Sequence, residues 1–294
     1  VVEPTGTLWI VATPIGTIED LAPRALSILD RADLILAEDT RRTRALLSHG
    51  GIRAGRRLLS FHEHNESRRI PEVLGALADG RSVALVSDAG TPVLSDPGYL
   101  LVRAARERGC AVCSVPGASA FTAALAAAGQ APLPAALVGF LPAKGGPRRR
   151  RIRAFAGWPH SLVVLMSPHR LAQELAELAE ILGGERPATL LAELSKLHER
   201  GVMATLAELA SCDEVETPKG EYVLVVGPVP EQDRSVTEID PNEVRSLYRS
   251  RLAEGLKRRD AIKSVAEELG VARRRVFDLL VECEADDSEA GRVS

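Results

Sequence analysis

The sequence predicts an α/β fold: two α/β domains in succession, then a small helical unit near the C-terminal end. Three observations carry this expectation. Short continuous apolar runs, such as residues 8–12 and 83–86, alternate with stretches that repeat apolar residues at helical spacing. Clusters of Gly and Pro close those runs. Of 294 residues, 45% are hydrophobic but only 3% aromatic, so the core rests on Leu, Val, Ile and Ala. Ala-rich helices on Val/Leu strands pack such residues densely.

The elements follow in order. Residues 8–12 read as a strand buried on both faces and stopped by Thr13-Pro14-Ile15-Gly16. Asp20 is placed to cap the next helix, with Pro23 in its first turn and Leu26, Ile28 and Leu29 on its apolar face. Strand 34–37, a helix from Thr40, strand 58–61, helix 66–77, strand 83–86, helix 99–108 and strand 111–115 repeat the alternation. Helices between apolar strands imply a largely parallel sheet covered on both faces. Pro132, Pro134, Pro142, Gly145, Gly146 and Pro147 then break the pattern. The expected first domain is therefore 1–131, with a linker and basic loop at 132–157.

A second α/β domain is expected over 158–230, with strands 161–166, 189–193 and 222–226 and helix 171–182. Past Pro228 and Pro230 come helices 242–252 and 259–269. The turn Gly270-Val271-Ala272 and a helix ending near Cys283 complete a helix-turn-helix-like unit over 240–284. The acidic stretch 285–294 is expected to be disordered.

Net charge is −3, which gives no global signature for nucleic acid, so any basic partner surface must be local. Cys110 and Cys113 form a C-x-x-C, but no second pair completes a tetrahedral metal set, and an apolar run favours Cys as a small core residue. No metal site is expected. Residues 1–30 lack the basic and apolar regions of a secretory leader, and no apolar run approaches bilayer length. The expectation is a cytoplasmic protein.

Three loops leave the carboxyl ends of expected parallel strands: residues 13–16, 87–92 and 116–119. Ligands of open α/β sheets bind there. Gly90 and Gly117 allow close approach of the backbone, although Gly/Pro loops also serve merely as connectors. Neither a G-x-G-x-x-G fingerprint nor a phosphate-binding G-x-x-x-x-G-K-[ST] loop is present, so dinucleotide binding and nucleotide hydrolysis are poorly supported.

The motifs at 6–16 (GTLWIVATPIG), 37–41 (AEDTR), 62–66 (HEHNE), 86–98 and 116–120 resemble, in order, those of the ribosomal RNA small subunit methyltransferase I family. The likeness continues through 139–142 with Lys144, through 167–170 (SPHR) and to Gly220-Glu221, covering 6–227. The resemblance implies two domains of the tetrapyrrole-methylase type with S-adenosylmethionine (S-adenosyl-L-methionine) in the cleft between them. It further implies a homodimer that methylates a cytidine ribose 2'-hydroxyl in the decoding region of small-subunit ribosomal RNA, as naked RNA or assembled subunit. Carried over by motif, Pro14, Ala89, Gly90, Thr91, Leu94, Ser119 and Ala120 would line the cofactor from the first domain. Met166, Ala192 and Glu221 would approach it from the second. The chain departs from the family at Thr17, often Asn, at Leu165-Met166, often an aromatic and an acid, and at Ala192, often Arg.

A ribose hydroxyl needs in-line alignment and help with its proton. The candidates are Glu38, Asp39, His62, Glu63 and Lys144; Lys144 is favoured as base because it lies where the domains should meet. Asp39 or Thr40 could equally cap a helix, and the alternating His62 and His64 suit RNA contact or structure better than a metal. In the family context residues 167–170 suggest a substrate contact through His169 and Arg170, or an interdomain contact, beyond a plain strand-to-helix turn.

Lys144, Arg148, Arg149, Arg150, Arg151 and Arg153 put six cations into ten residues without an acid. Residues 245–275, including Arg273 and Arg274, carry ten Lys/Arg against four Asp/Glu. Both are candidate RNA-backbone contacts, with a solvated charge run as the plain alternative. Methylation of a tetrapyrrole ring carbon and non-catalytic RNA binding remain the competing functional readings.

Overall fold

The computed structural model describes residues 6–229 and 241–269, with positions 273, 276, 277 and 280. It divides into two units, Val1–Val229 and Pro230–Ser294.

In the first unit, β1 (Thr7–Val11), β2 (Leu34–Ala37), β3 (Leu58–Ser60), β4 (Val83–Val86) and β5 (Ala111–Val115) form an all-parallel sheet of order β3-β2-β4-β1-β5. Every residue of β2 and β4 is buried, as continuous apolar runs require of strands covered on both faces. Helices α1 (Pro23–Arg31) and α2 (Thr40–His49) cover one face through Ala25, Ile28, Leu29 and Leu47. On the other face, α3 (Glu66–Ala78) and α4 (Tyr99–Glu107) bury Val73, Leu77, Leu101 and Ala105, with Cys110 in the same core. Asp20 does not cap α1. Ala22 holds the N-cap position, while Asp20 lies in a preceding 3-10 turn and accepts a hydrogen bond from Ser195.

The chain then crosses to a second sheet through α5 (Ala120–Ala127), a helix the sequence pattern did not announce. Its Ala124 and Leu125 pack on Val163, Leu191 and Val223 of that sheet. Burying a Leu or Val in this way stabilises by about 1.5–3 kcal/mol. The Thr189 hydroxyl donates to the Ala128 carbonyl at 2.7 Å and receives the Gln130 amide at 3.1 Å, fixing the end of α5.

The second sheet runs β6-β7-β10-β8-β9, with β6 (Ala135–Phe140), β7 (Ser161–Met166), β8 (Pro187–Ala192), β9 (Arg200–Thr205) and β10 (Tyr222–Val226). Only β6 and β7 are parallel; the other pairs are antiparallel. Helices α6 (Gly145–Arg153), α7 (Leu171–Leu182) and α8 (Leu206–Leu209) pack on the face away from α5, and α9 (Asp213–Glu216) follows. Residues 132–157 are thus not a linker, for they supply β6 and α6. Pro134 precedes an edge strand, where no ladder bond is lost, and Pro147 falls in the first turn of α6, where its missing N–H has no partner to lose.

In the second unit, α10 (Pro241–Ala253) and α11 (Arg258–Glu268) pack through Val244, Val265 and Ala266, together with Val276 and Leu280. Arg251 on α10 bonds Glu268 on α11 at 2.6 Å. The turn at 270–272, Arg274, the helix end near Cys283 and the acidic tail lie outside the described residues.

Candidate active site

The loops following β1, β4 and β5 do converge. Thr13 and Gly90 exchange both backbone hydrogen bonds, at 2.9 and 3.0 Å, and the Thr13 hydroxyl donates to Ser87 O at 3.1 Å. The Thr91 hydroxyl reaches Ala118 O at 3.5 Å. Beyond Pro92 the loop is held in an uncommon shape, with Val93 (φ 77°) and Ser95 (φ 74°) in the left-handed region. Such residues cost about 1–3 kcal/mol each and persist where the surroundings over-determine them. Here two glycines supply the surroundings. A Cβ on Gly98 (φ 126°) would lie 2.6 Å from Leu85, and one on Gly139 of β6 would lie 2.9 Å from the Ser95 hydroxyl.

Between the sheets lies a cleft of about 430 Å³. The first sheet contributes Ile15, Glu38, Arg42, residues 88–91, residues 94–96 and residues 119–121. The second contributes Leu137, Phe140, residues 165–168 and residues 221–223. The volume falls within the ~300–1,000 Å³ of small-molecule sites, and the mixture of apolar walls with a few charges is typical of them.

Three acids enter this cleft from the first sheet. Asp88 accepts the Asp39 N–H at 3.0 Å through one oxygen and faces Arg42 at 3.5 Å through the other, so it braces the start of α2 while lining the cleft. Burial, reinforced by the charge of Asp88, raises the Glu38 carboxyl above the ordinary carboxylate range; Arg42 and His62 oppose the shift. Asp96 is pushed furthest, to about 6, by burial first and then by the Glu38 charge, against a hydrogen bond from Ser87. A half-buried acid poised near neutrality in a cleft has the properties of a proton-transfer group. Sequence alone does not single out Asp96, because Asp, Pro and Gly in Ser95-Asp96-Pro97-Gly98 are ordinary turn residues.

Of the expected cofactor residues, Ala89, Gly90, Thr91, Leu94, Ser119, Ala120, Met166 and Glu221 line the cleft. Pro14 does not: it lines an adjacent groove of about 450 Å³ with Arg42, His49 and Asp88. Ala192 is buried in β8 among core residues of the second sheet and is likewise absent from the lining. Glu221 is held by Lys196 at 3.1 Å, which also pairs with Glu193 at 2.9 Å.

Among the expected catalytic residues, only Glu38 lines the cleft. Asp39 caps α2 by accepting from Arg41 N at 2.8 Å, and bonds to Arg41 hold its carboxyl down to about 2, outside the range of a base at neutral pH. His62 lies in the turn after β3, 3.2 Å from Asn65 Nδ2, and Glu63 is exposed beside it. Lys144 is exposed at the N-terminal flank of α6, outside the lining.

The basic segment separates into different roles. Arg148 is no RNA contact: its side chain is 1% exposed, it bonds both Glu177 oxygens at 2.8 Å and it donates to Ala143 O at 2.9 Å. It shares its helix face with buried Ile152, four residues on, and that phase turns it inward. Arg149 pairs with Glu180, and Arg151 stacks 5.2 Å from Phe155. Arg150 is exposed. After β7, Ser167 and Pro168 line the cleft and His169 is exposed, but Arg170 bonds buried Glu174 at 2.7 Å. Arg273 is exposed.

A parallel sheet joined to a mixed sheet, with a charged cleft between them at the carboxyl ends of β1, β4 and β5, defines the class. Residues 7–210 match the family described as Tetrapyrrole (Corrin/Porphyrin) Methylases, and the chain belongs to that class of methyltransferase. The crystal structure of uroporphyrin-III C-methyl transferase from Thermus thermophilus, complexed with S-adenyl homocysteine, shares the fold. Its TM-score is 0.54 at 24% identity, covering 76% of this chain and 97% of that one.

Sequence relatives narrow the class. The chain is 42% identical over 282 residues to ribosomal RNA small subunit methyltransferase I of Synechocystis sp., covering 96% of this chain and 99% of that one. It is 44% identical over 275 residues to the protein of that name from Xylella fastidiosa, covering 92% and 98%. This chain is a member of the ribosomal RNA small subunit methyltransferase I family.

Proposed function

We propose that the chain transfers the methyl group of S-adenosylmethionine to a cytidine ribose 2'-hydroxyl in the decoding region of small-subunit ribosomal RNA, acting in the cytoplasm as a homodimer. The observation that carries the reading is the acid-bearing cleft between the sheets, in a chain collinear with ribosomal RNA methyltransferases. The residues fit the cofactor. Thr91, Ser119 and Ala120 bring polar backbone to the cleft, Gly90 lets the chain pass close beside them, and Leu94 and Met166 supply apolar walls. When bound, S-adenosylmethionine supplies an electrophilic methyl group.

The protein's own part is to hold the hydroxyl in line and to take its proton. Asp96 serves as acceptor, because its raised carboxyl is ionised at neutral pH yet more basic than a solvated one. Glu38 maintains that basicity through its charge. Lys144 stands outside the lining and contributes to RNA contact with the exposed Arg150, His169 and, on the C-terminal unit, Arg273.

Labelled cofactor, small ribosomal subunits and a free tetrapyrrole in one incubation test the substrate: label in the RNA ribose is expected, and label only in the macrocycle overturns the reading. Asp96→Asn is expected to lower kcat by roughly 10²–10⁴ with cofactor affinity kept, whereas Lys144→Ala keeps most activity. Because Asp96 works ionised, kcat/KM should rise as pH increases through about 6 and level above it. Loss of turnover in Lys144→Ala with retention in Asp96→Asn would return the role to the lysine.

A further inference from the structure

We infer that the outer surface of α2 and the turn after it form a docking track for the RNA phosphate backbone leading into the cleft. The inference rests on the RNA reading above and assigns a surface that reading does not use. Residues 40–57 hold six arginines and one histidine and no acid. The structure sorts them. Arg57 is spent on the carbonyls of Leu29, Asp30 and Ala32, each at 2.8 Å, and Arg41 on Asp39 at 2.9 Å. Arg44, Arg53 and Arg56 are exposed, with no carboxylate within ion-pair distance among the described residues.

These arginines are arranged rather than scattered. Arg44 and Arg53 both line a groove of about 400 Å³ beside α2. Across the helix, Arg42 and His49 line the groove of about 450 Å³ that also holds Pro14. Arg42 lines the main cleft as well, so it joins the track to the site of chemistry. From Arg42 to His49 the helix rises about 10 Å, comparable to the axial span of three nucleotides at about 3.4 Å each. The unpaired guanidinium groups of Arg44, Arg53 and Arg56 complement a polyanionic strand, and Asp88, which faces Arg42 at 3.5 Å, marks where the track gives way to the acid-lined cleft.

The test uses full-length protein and undermethylated small ribosomal subunits, with Arg44, Arg53 and Arg56 changed together to Gln. Arg42 is left intact because it lines the cleft. The expected result is a KM for subunits raised tenfold or more, with kcat and cofactor affinity unchanged. The slope of log KM against log salt should also fall by about 2, since each lost single-strand phosphate contact is worth about 0.7. The matching triple Lys variant, which keeps the charge, should restore KM to within about threefold. An unchanged KM and salt slope overturn the inference, as does a raised KM with an unchanged salt slope, which would mark an uncharged partner at this surface. Failure of the RNA reading itself would show in the wild type, as subunits that accept no methyl group.

Discussion

Helices α2 and α6 look alike in sequence, each a short arginine-rich segment a few residues past a strand. Their cations do different work. In α6, Arg148 is buried on Glu177, Arg149 is paired with Glu180 and Arg151 lies against Phe155, so much of the charge fastens the helix to α7 and its own end. Along α2 and its following turn, Arg44, Arg53 and Arg56 meet no acid among the described residues. Cation density along a chain therefore says little about an anionic partner until the acids of neighbouring elements are known. A guanidinium already held by two carboxylate oxygens must give up that pairing to take a phosphate.

The contrast can be broken most forcefully at Arg148. Arg148→Ala should cost about 3–5 kcal/mol, because it strands the Glu177 carboxylate in the interior, and thermal melting should show a fall in Tm of about 10 °C or more. An unchanged Tm with a raised KM for subunits would make Arg148 an RNA contact after all. The pairing also has a pH signature. Arg148 holds the Glu177 carboxyl below its ordinary value, so its contribution is present at neutral pH and is lost as pH falls through the depressed value. The stability gap between the wild type and Glu177→Gln should accordingly narrow below about pH 4.

Smaller effects sharpen the comparison. Arg150→Gln with Arg153→Gln, both exposed on α6, should raise KM for subunits by about two- to threefold, well under the change for the three arginines beside α2. Glu180→Gln frees Arg149 and should lower KM slightly, by less than twofold, in steady-state assays at low salt. Smallest of all, Asp39→Ala removes the cap of α2 and should lower Tm by a degree or two, with turnover kept.

The first sheet was legible because its central strands are uniformly apolar and its helices carry clear periodicity. The second was half legible. Edge strands β6 and β9 are partly exposed, alternate weakly and include Gly139 and Gly201, so nothing in their composition separates them from loops. Helix α5 was missed because a run of Ala, Phe and Thr has little amphipathic contrast, while α6 was hidden by the Gly-Gly-Pro at its start. In the site, the loops at the carboxyl ends were readable from Gly and Pro alone. Asp96 was not, since its character comes from burial beside Glu38, which are residues far apart in the chain. Nor could sequence separate Arg148 from its three neighbours; only the phase of α6 does so.

The loop at 93–98 is gripped from both sides, by Leu85 against Gly98 and by Gly139 of the second sheet against Ser95. Its shape is therefore owned jointly by the two halves of the first unit. Neither half carries enough information to rebuild the acid-bearing wall if grafted onto a foreign partner. In terms of modularity, residues 6–229 behave as one exchangeable piece, and a recombinant that swaps only one sheet would inherit the walls of the cleft without its contour.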